Sequence, residues 1–374
     1  MLKRVSIQNF KSLKDVTLDL QKVNLLIGPN NSGKTNFLKA LESFSISGLF
    51  SQSVSTLETV SYKHKRLNIT YQFDYEPASN GYMVTNYPDE RVNTYHVVQT
   101  TEVNSNSNDW GALNTRNVFE EKVTDVLGDK IEGIDAGGYR HEFVEFLRTH
   151  IFKPDPSKLV HQVRFSADQV ELLADCSNLT SFFFYIDANY KRNSARIQSD
   201  LSRCIPEIAY FTLPPVKVGS ESMLALRFFD REDNGYWADE VSEGTLYFLA
   251  LLCIINQPNP PKLLLLEEPE KGIHPRRIRE VMDFIFRLAE EKDVQIILTT
   301  HNEHVLDDFA TRPESVFVFD KDEEGATYVR NLQTDIIEPT NKRNKELGLD
   351  EIDLTTNLSE NWLYGLLGGV PSIP

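Results

Sequence analysis

The chain has 374 residues, a net charge of −16, 40% hydrophobic residues and 25% charged residues. That length supports a sizeable core and two lobes, and the composition is ordinary for a globular protein. The acidic balance argues against a generally basic surface that coats DNA, and no apolar run is long enough to span a bilayer.

The opening residues, Met1-Leu2-Lys3-Arg4-Val5, lead straight into strand-like alternation and lack the apolar centre of a signal peptide. Cys176, Cys204 and Cys253 are odd in number and far apart. They read as buried or incidental thiols, not as a disulfide frame or a zinc site. The expected compartment is cytoplasmic, with no membrane contact.

Residues 3–9 and 15–20 alternate as strands do, and residues 23–27 form a buried strand. A helix is expected from Gly33 to Phe44, with Phe37, Leu38, Leu41 and Phe44 on one face. Residues 66–103 read as strands of an antiparallel meander, followed by a polar loop at 104–109. Helices are expected near 139–149, 167–175 and 192–203. From about 208 the pattern becomes strand–helix alternation, which implies a mostly parallel sheet with helices on its faces. Within it, Thr245 to Ile255 is a helix buried all round, and Lys262 to Leu266 is an apolar strand. Ile278, Val281, Met282, Ile285 and Leu288 mark an amphipathic helix opened by Pro275. Val294 to Leu298 and Ser315 to Phe319 are further buried strands. The division predicted is 1–104, a mostly helical insertion at 105–207, 208–335, and a tail at 336–374.

Four motifs carry chemistry. Gly28-Pro29-Asn30-Asn31-Ser32-Gly33-Lys34-Thr35 fits G-x-x-x-x-G-K-[ST] between a strand and a helix. Its glycines let backbone N–H groups turn toward a polyphosphate. Lys34 can reach the β and γ phosphates, and the Thr35 hydroxyl can ligand Mg²⁺. Leu263 to Leu266 ends in Glu267-Glu268, where one carboxylate can hold Mg²⁺ and the other can orient or deprotonate water. Ile296 to Thr300 ends in His301, which can hydrogen-bond a γ-phosphate. Ser242-Glu243-Gly244-Thr245 opens a helix and offers free N–H groups to an anion; Ser242 also suits an ordinary N-cap.

The order of these motifs resembles an ABC-type ATPase head, and more narrowly the RecF, SMC and OLD group. Val5-Ser6-Ile7-Gln8-Asn9-Phe10-Lys11-Ser12 is similar to that group's opening I-x-N-F-[KR]-S. Glu267-Glu268-Pro269-Glu270-Lys271-Gly272-Ile273-His274-Pro275 is similar to its E-E-P-E-x-x-L-H-P segment. The resemblance implies an α/β head with a P-loop sheet and an N-terminal antiparallel subdomain. It implies ATP and Mg²⁺ held by Gly28, Asn30, Asn31, Ser32, Gly33, Lys34 and Thr35, with Glu267 as the second metal ligand. Glu268, His301 and Lys34 would be catalytic. Ser242 and Gly244 of one copy would meet the nucleotide held by another, in a homodimer that sandwiches ATP. Glu243 and Thr245 depart from the L-S-G-G-Q signature, and Glu267 replaces the usual aspartate. A Q-loop glutamine is expected at a strand end, with Gln72 and Gln99 as candidates.

Only 73 residues follow His301, too few for the nuclease domain that OLD proteins carry. Asp350-Glu351-Ile352-Asp353 reads as a solvated helix cap more readily than as a metal site. The apolar ending, Trp362 to Pro371, is expected to pack on the head or dock a partner. The resemblance implies a slow or regulated ATPase that controls a separately encoded effector, a nuclease in prokaryotic anti-phage defence. The alternatives are a RecF-like DNA-binding repair ATPase and a switch that binds ATP with negligible hydrolysis.

Overall fold

The computed structural model describes residues 1–45, 62–64, 68–77, 94–103, 115–124, 137–164, 171–258, 260–271 and 273–370. They fall into two compact units. Unit 1 is Met1–Thr149, Lys262–Leu265 and Asp293–Pro374; unit 2 is His150–Pro261 and Leu266–Lys292. The polar loop read at 104–109 lies outside the described residues.

Unit 1 begins with β1 (Leu2–Phe10), β2 (Leu13–Asp19), β3 (Val23–Ile27) and α1 (Lys34–Ser45). It continues with β4 (Ile69–Tyr75), β5 (Thr94–Val103), β6 (Thr115–Thr124) and α2 (Gly137–Phe146). Five of the strands make an antiparallel sheet in the order β2-β1-β4-β5-β6. Period-two alternation explains its buried face. Ile69, Tyr71, Phe73 and Tyr75 of β4 all point inward, while Gln72 points out. Phe44 of α1 and Phe143 of α2 meet Phe73 with ring centroids 4.6 and 5.4 Å away.

The second sheet of unit 1 is built on β3, whose five residues are all buried. It also takes in β14 (Leu263–Glu267), β15 (Gln295–Thr299), β16 (Val316–Lys321) and β17 (Thr327–Asn331). The strands run in the order β17-β16-β3-β15-β14. β3 lies parallel to both of its neighbours, β15 and β16, and β17 closes the edge antiparallel to β16. A sheet buried on both faces reads as continuous apolar runs, as these strands do. The one polar residue inside β3, Asn24, is satisfied: its amide donates to Gln21 O and Ile296 O, and its oxygen accepts from Gln21 N.

Unit 2 holds β7 (Ile151–Phe152), α3 (Pro156–Leu159), β8 (Val163–Arg164), α4 (Leu179–Asn189) and α5 (Lys191–Cys204). Five short strands follow: β9 (Tyr210–Thr212), β10 (Pro215–Val218), β11 (Glu221–Leu224), β12 (Arg227–Phe229) and β13 (Gly235–Trp237). They form two small antiparallel sheets, β10-β11-β8 and β13-β12-β9. The helices α6 (Glu243–Ile255) and α7 (Pro275–Glu291) complete the unit. Residues Thr245 to Ile255 of α6 are all buried, and α7 buries Ile278, Val281, Met282, Ile285 and Leu288.

Three expectations need correction. Residues 171–175 are turns and bends, not the end of a helix, because Asn178 reaches back to Glu171 O and Leu173 N and closes a loop there. Residues 210–237 are small antiparallel strands; the strand–helix alternation starts only at α6. Asp353 does not cap a helix but closes a turn, accepting from the amides and hydroxyls of Thr355 and Thr356. The Phe182-Phe183-Phe184-Tyr185 run lies in α4, with Phe182 and Phe183 buried.

Candidate functional site

The phosphate loop runs from the end of β3 to the start of α1, all within unit 1. Gly28 (φ +141°) and Gly33 (φ +111°) lie where only glycine is comfortable. Space enforces the same choice. A Cβ on Gly28 would sit 2.2 Å from Phe319 O, and one on Gly33 would sit 2.2 Å from Thr327 Oγ1. Asn31, also at positive φ (65°), is exposed together with Asn30. Asn tolerates this backbone better than most residues.

Two features of the loop bear on anion binding. Lys34 is buried, and its ammonium donates to Gly28 O at 2.7 Å and Pro29 O at 3.0 Å, curled over its own loop. The Ser32 hydroxyl is buried and has no hydrogen-bond partner. An orphaned buried hydroxyl is uncommon and calls for a missing partner. A phosphate oxygen supplies one, at the N-terminal turn of α1.

Sequence reasoning missed what lies under the loop. Ser12 and Thr327 share a hydroxyl–hydroxyl bond of 2.7 Å, and the Thr327 hydroxyl also lies 2.8 Å from Ser32 O. Asn36 of α1 donates to Ser12 Oγ at 2.9 Å, and Thr327 N donates to Ser12 O at 2.8 Å. The serine of the opening N-F-K-S run thus pins the loop from below. Thr327 carried no signal, since a lone threonine at a strand start is ordinary.

His301 follows β15, the parallel neighbour of β3, so it stands at the same strand edge as the phosphate loop. Its side chain is exposed. Thr300, wholly buried, donates its N–H to Leu26 O and accepts from Asn302 N at 2.9 Å. Asn302 then caps the short helix α8 (Glu303–Asp307). Neither Q-loop candidate ends its strand: Gln72 is exposed in the middle of β4, and Gln99 is buried in the middle of β5.

In unit 2, Glu267 closes β14 and Glu268 turns the chain through φ +52°. The turn is held by Tyr247, on the second turn of α6. Its hydroxyl donates to Glu268 O at 2.9 Å and lies 3.3 Å from Glu267 O. Burial pushes the Tyr247 phenol well above its ordinary range, so it stays a donor. The Lys153 ammonium lies 3.2 Å from Glu267 Oε2. Neither Tyr247 nor Lys153 could be found from motifs, because each acts through a contact distant in sequence. Ser242 is the N-cap of α6 and accepts from Thr245 N at 3.2 Å; Gly244 follows in the first turn. Beside this turn opens a cavity of about 880 Å³ with Ile205, Ile208, Phe248 and Val281 in its walls. At its rim Arg277 makes two 2.7 Å bonds to Glu207, which hold that carboxyl below its usual range.

The Thr35 hydroxyl in unit 1 and the Glu267 carboxylate in unit 2 are each hard oxygen donors of the kind Mg²⁺ takes. Among the described residues, no group of three or more His, Cys, Asp or Glu could hold a metal, and no helix is long and apolar enough to cross a membrane.

Solved structures with this fold include SMC heads. One is the SMC head bound to the C-winged helix domain of ScpA: 14% identity, TM-score 0.56, covering 88% of this chain and 96% of that one. Another, from Pyrococcus furiosus, is an SMC head with an extended coiled coil bound to the C-terminal domain of ScpA. It has 12% identity and a TM-score of 0.53, and the match covers 93% of this chain and 99% of that one. Among curated proteins, the energy-coupling factor transporter ATP-binding protein EcfA2 of Bacillus anthracis is 27% identical over 111 residues. The match covers 30% of this chain and 35% of that protein. The OLD nuclease of Thermus scotoductus is 43% identical over 42 residues, 11% of this chain and 8% of that one. The chain thus spans about a third of the length of the transporter proteins it matches.

Family and fold agree on an AAA-type ATPase domain with the fold of an SMC head. A family profile described as "AAA domain, putative AbiEii toxin, Type IV TA system" matches residues 90–307, and one described as "AAA ATPase domain" matches residues 1–136. The chain belongs to the first of these families, whose profile covers more than half of it.

Proposed function

We propose that this chain binds ATP with Mg²⁺, pairs head-to-tail with a second copy around the nucleotide, and hydrolyses it slowly or under control. We propose further that it governs a separately encoded effector, a nuclease, in prokaryotic defence against phage. The nucleotide part rests on one observation above all. The Ser32 hydroxyl is buried without a partner in a loop whose two glycines hold positive φ. The effector part is supported by the toxin system in the family description and by the local likeness to an OLD nuclease.

In this reading Lys34 exchanges two neutral carbonyls for the β and γ phosphates. Charged acceptors bind an ammonium roughly twice as strongly as neutral ones, so nucleotide draws the side chain outward. Mg²⁺, when bound through Thr35 and Glu267, neutralises phosphate charge. Glu268 orients the attacking water and takes its proton. His301 bonds the γ-phosphate and registers its loss. Ser242 and Gly244 of the second copy present a hydroxyl and helix N–H groups to the same phosphate.

The test measures ATP binding, hydrolysis and sedimentation for three proteins. Wild type binds and pairs on ATP. Lys34→Ala loses binding, and Glu268→Gln binds and stays paired without turnover. A wild-type chain that ignores millimolar ATP ends the proposal. Co-purification with ATP present, returning no protein partner, ends its effector half.

A further inference from the structure

The apolar ending of the described chain lies against the phosphate loop. After the short helix α9 (Glu338–Glu346), α10 (Leu358–Leu363) leads into Tyr364 to Val370. Gly365, Gly368 and Gly369 all have positive φ, at 76°, 73° and 64°. The segment therefore curls into a hook that other residues resist. A Cβ on Gly369 would lie 2.6 Å from Val318 Cγ1 and 3.4 Å from Gly28 Cα. The backbone of the hook thus touches the first glycine of the phosphate loop.

Two side chains hold it there. Trp362 is buried, and its indole N–H donates to Gly369 O at 3.2 Å. Arg330 of β17 donates to Leu367 O at 3.3 Å, and its guanidinium fills the space a Cβ on Gly368 would need. By contrast Leu363, Tyr364 and Leu366 are exposed. The hook has one face fixed to the loop and one face in solvent.

We propose that the Trp362–Gly369 hook is a positioning element of the phosphate site. It braces the Gly28 turn beside Phe319 and sets the backbone that receives the phosphates. Gly28 has little room: Phe319 O and Gly369 crowd it together. Any shift of Gly28 toward a bound polyphosphate therefore moves a neighbour in direct contact. By linkage, a nucleotide that tightens the loop tightens the hook, and a change in the hook alters nucleotide affinity by the same factor. This rests on the nucleotide reading above.

The test uses the full chain with a fluorescent N-methylanthraniloyl ATP and hydrogen exchange followed by mass spectrometry. ATP should slow exchange in 365–370 as well as in 28–35, and leave 171–178 unchanged. Trp362→Phe keeps the ring and loses the N–H donor, so affinity should fall about threefold to tenfold. Gly369→Ala forces a Cβ against Val318 and should weaken binding further, while Tyr364→Ser, on the solvent face, should leave it unchanged. A hook with a merely structural role would lower the melting temperature without answering to ATP. If Trp362→Phe binds as wild type does and 365–370 exchange at the same rate with ATP, the inference is wrong although the nucleotide reading stands. If wild type binds no nucleotide while Lys34 and Ser32 remain folded, the reading itself fails and takes the hook with it.

Discussion

The phosphate loop of unit 1 and the acidic corner of unit 2 are two solutions to holding polar groups at a strand end. The loop is shaped by its own glycines, at φ values only they accept, and by hydroxyls packed beneath it. The corner is shaped by residues from elsewhere: Tyr247 fixes its carbonyls and Lys153 takes its first carboxylate. The contrast shows why one motif tolerates almost no change while the other departs from its family pattern. A loop built from backbone conformation fails with one added methyl. A corner built from side-chain contacts can lengthen a carboxylate by one CH₂ if the partners follow.

Gly28→Ala is the harshest test of that contrast. With its Cβ 2.2 Å from Phe319 O, it should cost about 3 kcal/mol or more in urea unfolding. A loss below about 0.5 kcal/mol would erase the distinction. Tyr247→Phe should cost about 1–2 kcal/mol, the loss of a hydroxyl that serves two carbonyls. On the proposed function it should also reduce kcat while leaving KM for ATP near wild type, because only the corner moves. Lys153→Met should change stability by less than about 1 kcal/mol, since the lysine is half exposed. The same variant should need less Mg²⁺ for half-maximal ATP binding, the ammonium no longer competing for Glu267. An unchanged Mg²⁺ titration would mean Lys153 only tethers the strand.

The smallest effect concerns pH. Hydrogen bonds from Thr355 and Thr356 hold the Asp353 carboxyl down to about 2, against an ordinary 3.8. A lowered carboxyl contributes stability above its unfolded value and loses it as pH falls through the folded one. The difference between wild type and Asp353→Asn should therefore be full above about pH 4 and shrink toward pH 2. Acid unfolding followed by circular dichroism reads it directly.

Local chemistry was legible. The strands around Val23, Leu263, Gln295 and Val316 announce themselves as apolar runs, and α7 by its spacing behind Pro275. The phosphate loop follows from eight consecutive residues. Ser242 as an N-cap follows from the Ser-x-x-Thr spacing. The strands from Tyr210 to Trp237 were misread because three- and four-residue strands are too short to show a period. The loop around Asn178 imitated a helix because its bonds run from a side chain to backbone groups five and seven residues earlier. Lys153, Thr327 and the hook's contact with Gly28 were invisible for another reason. Their partners lie 114, 295 and several hundred residues away, and no local window spans them.

The distance between Ser32 and Thr327 has a consequence for how the protein is made. Ribosomes deliver Lys34 early, yet the hydroxyl that seats the loop arrives almost three hundred residues later, and Gly369 later still. A nascent chain therefore exposes the phosphate motif long before it is braced, and seats it only once Thr327 and Gly369 have emerged. Premature termination would leave fragments that carry the motif intact yet lack its seat.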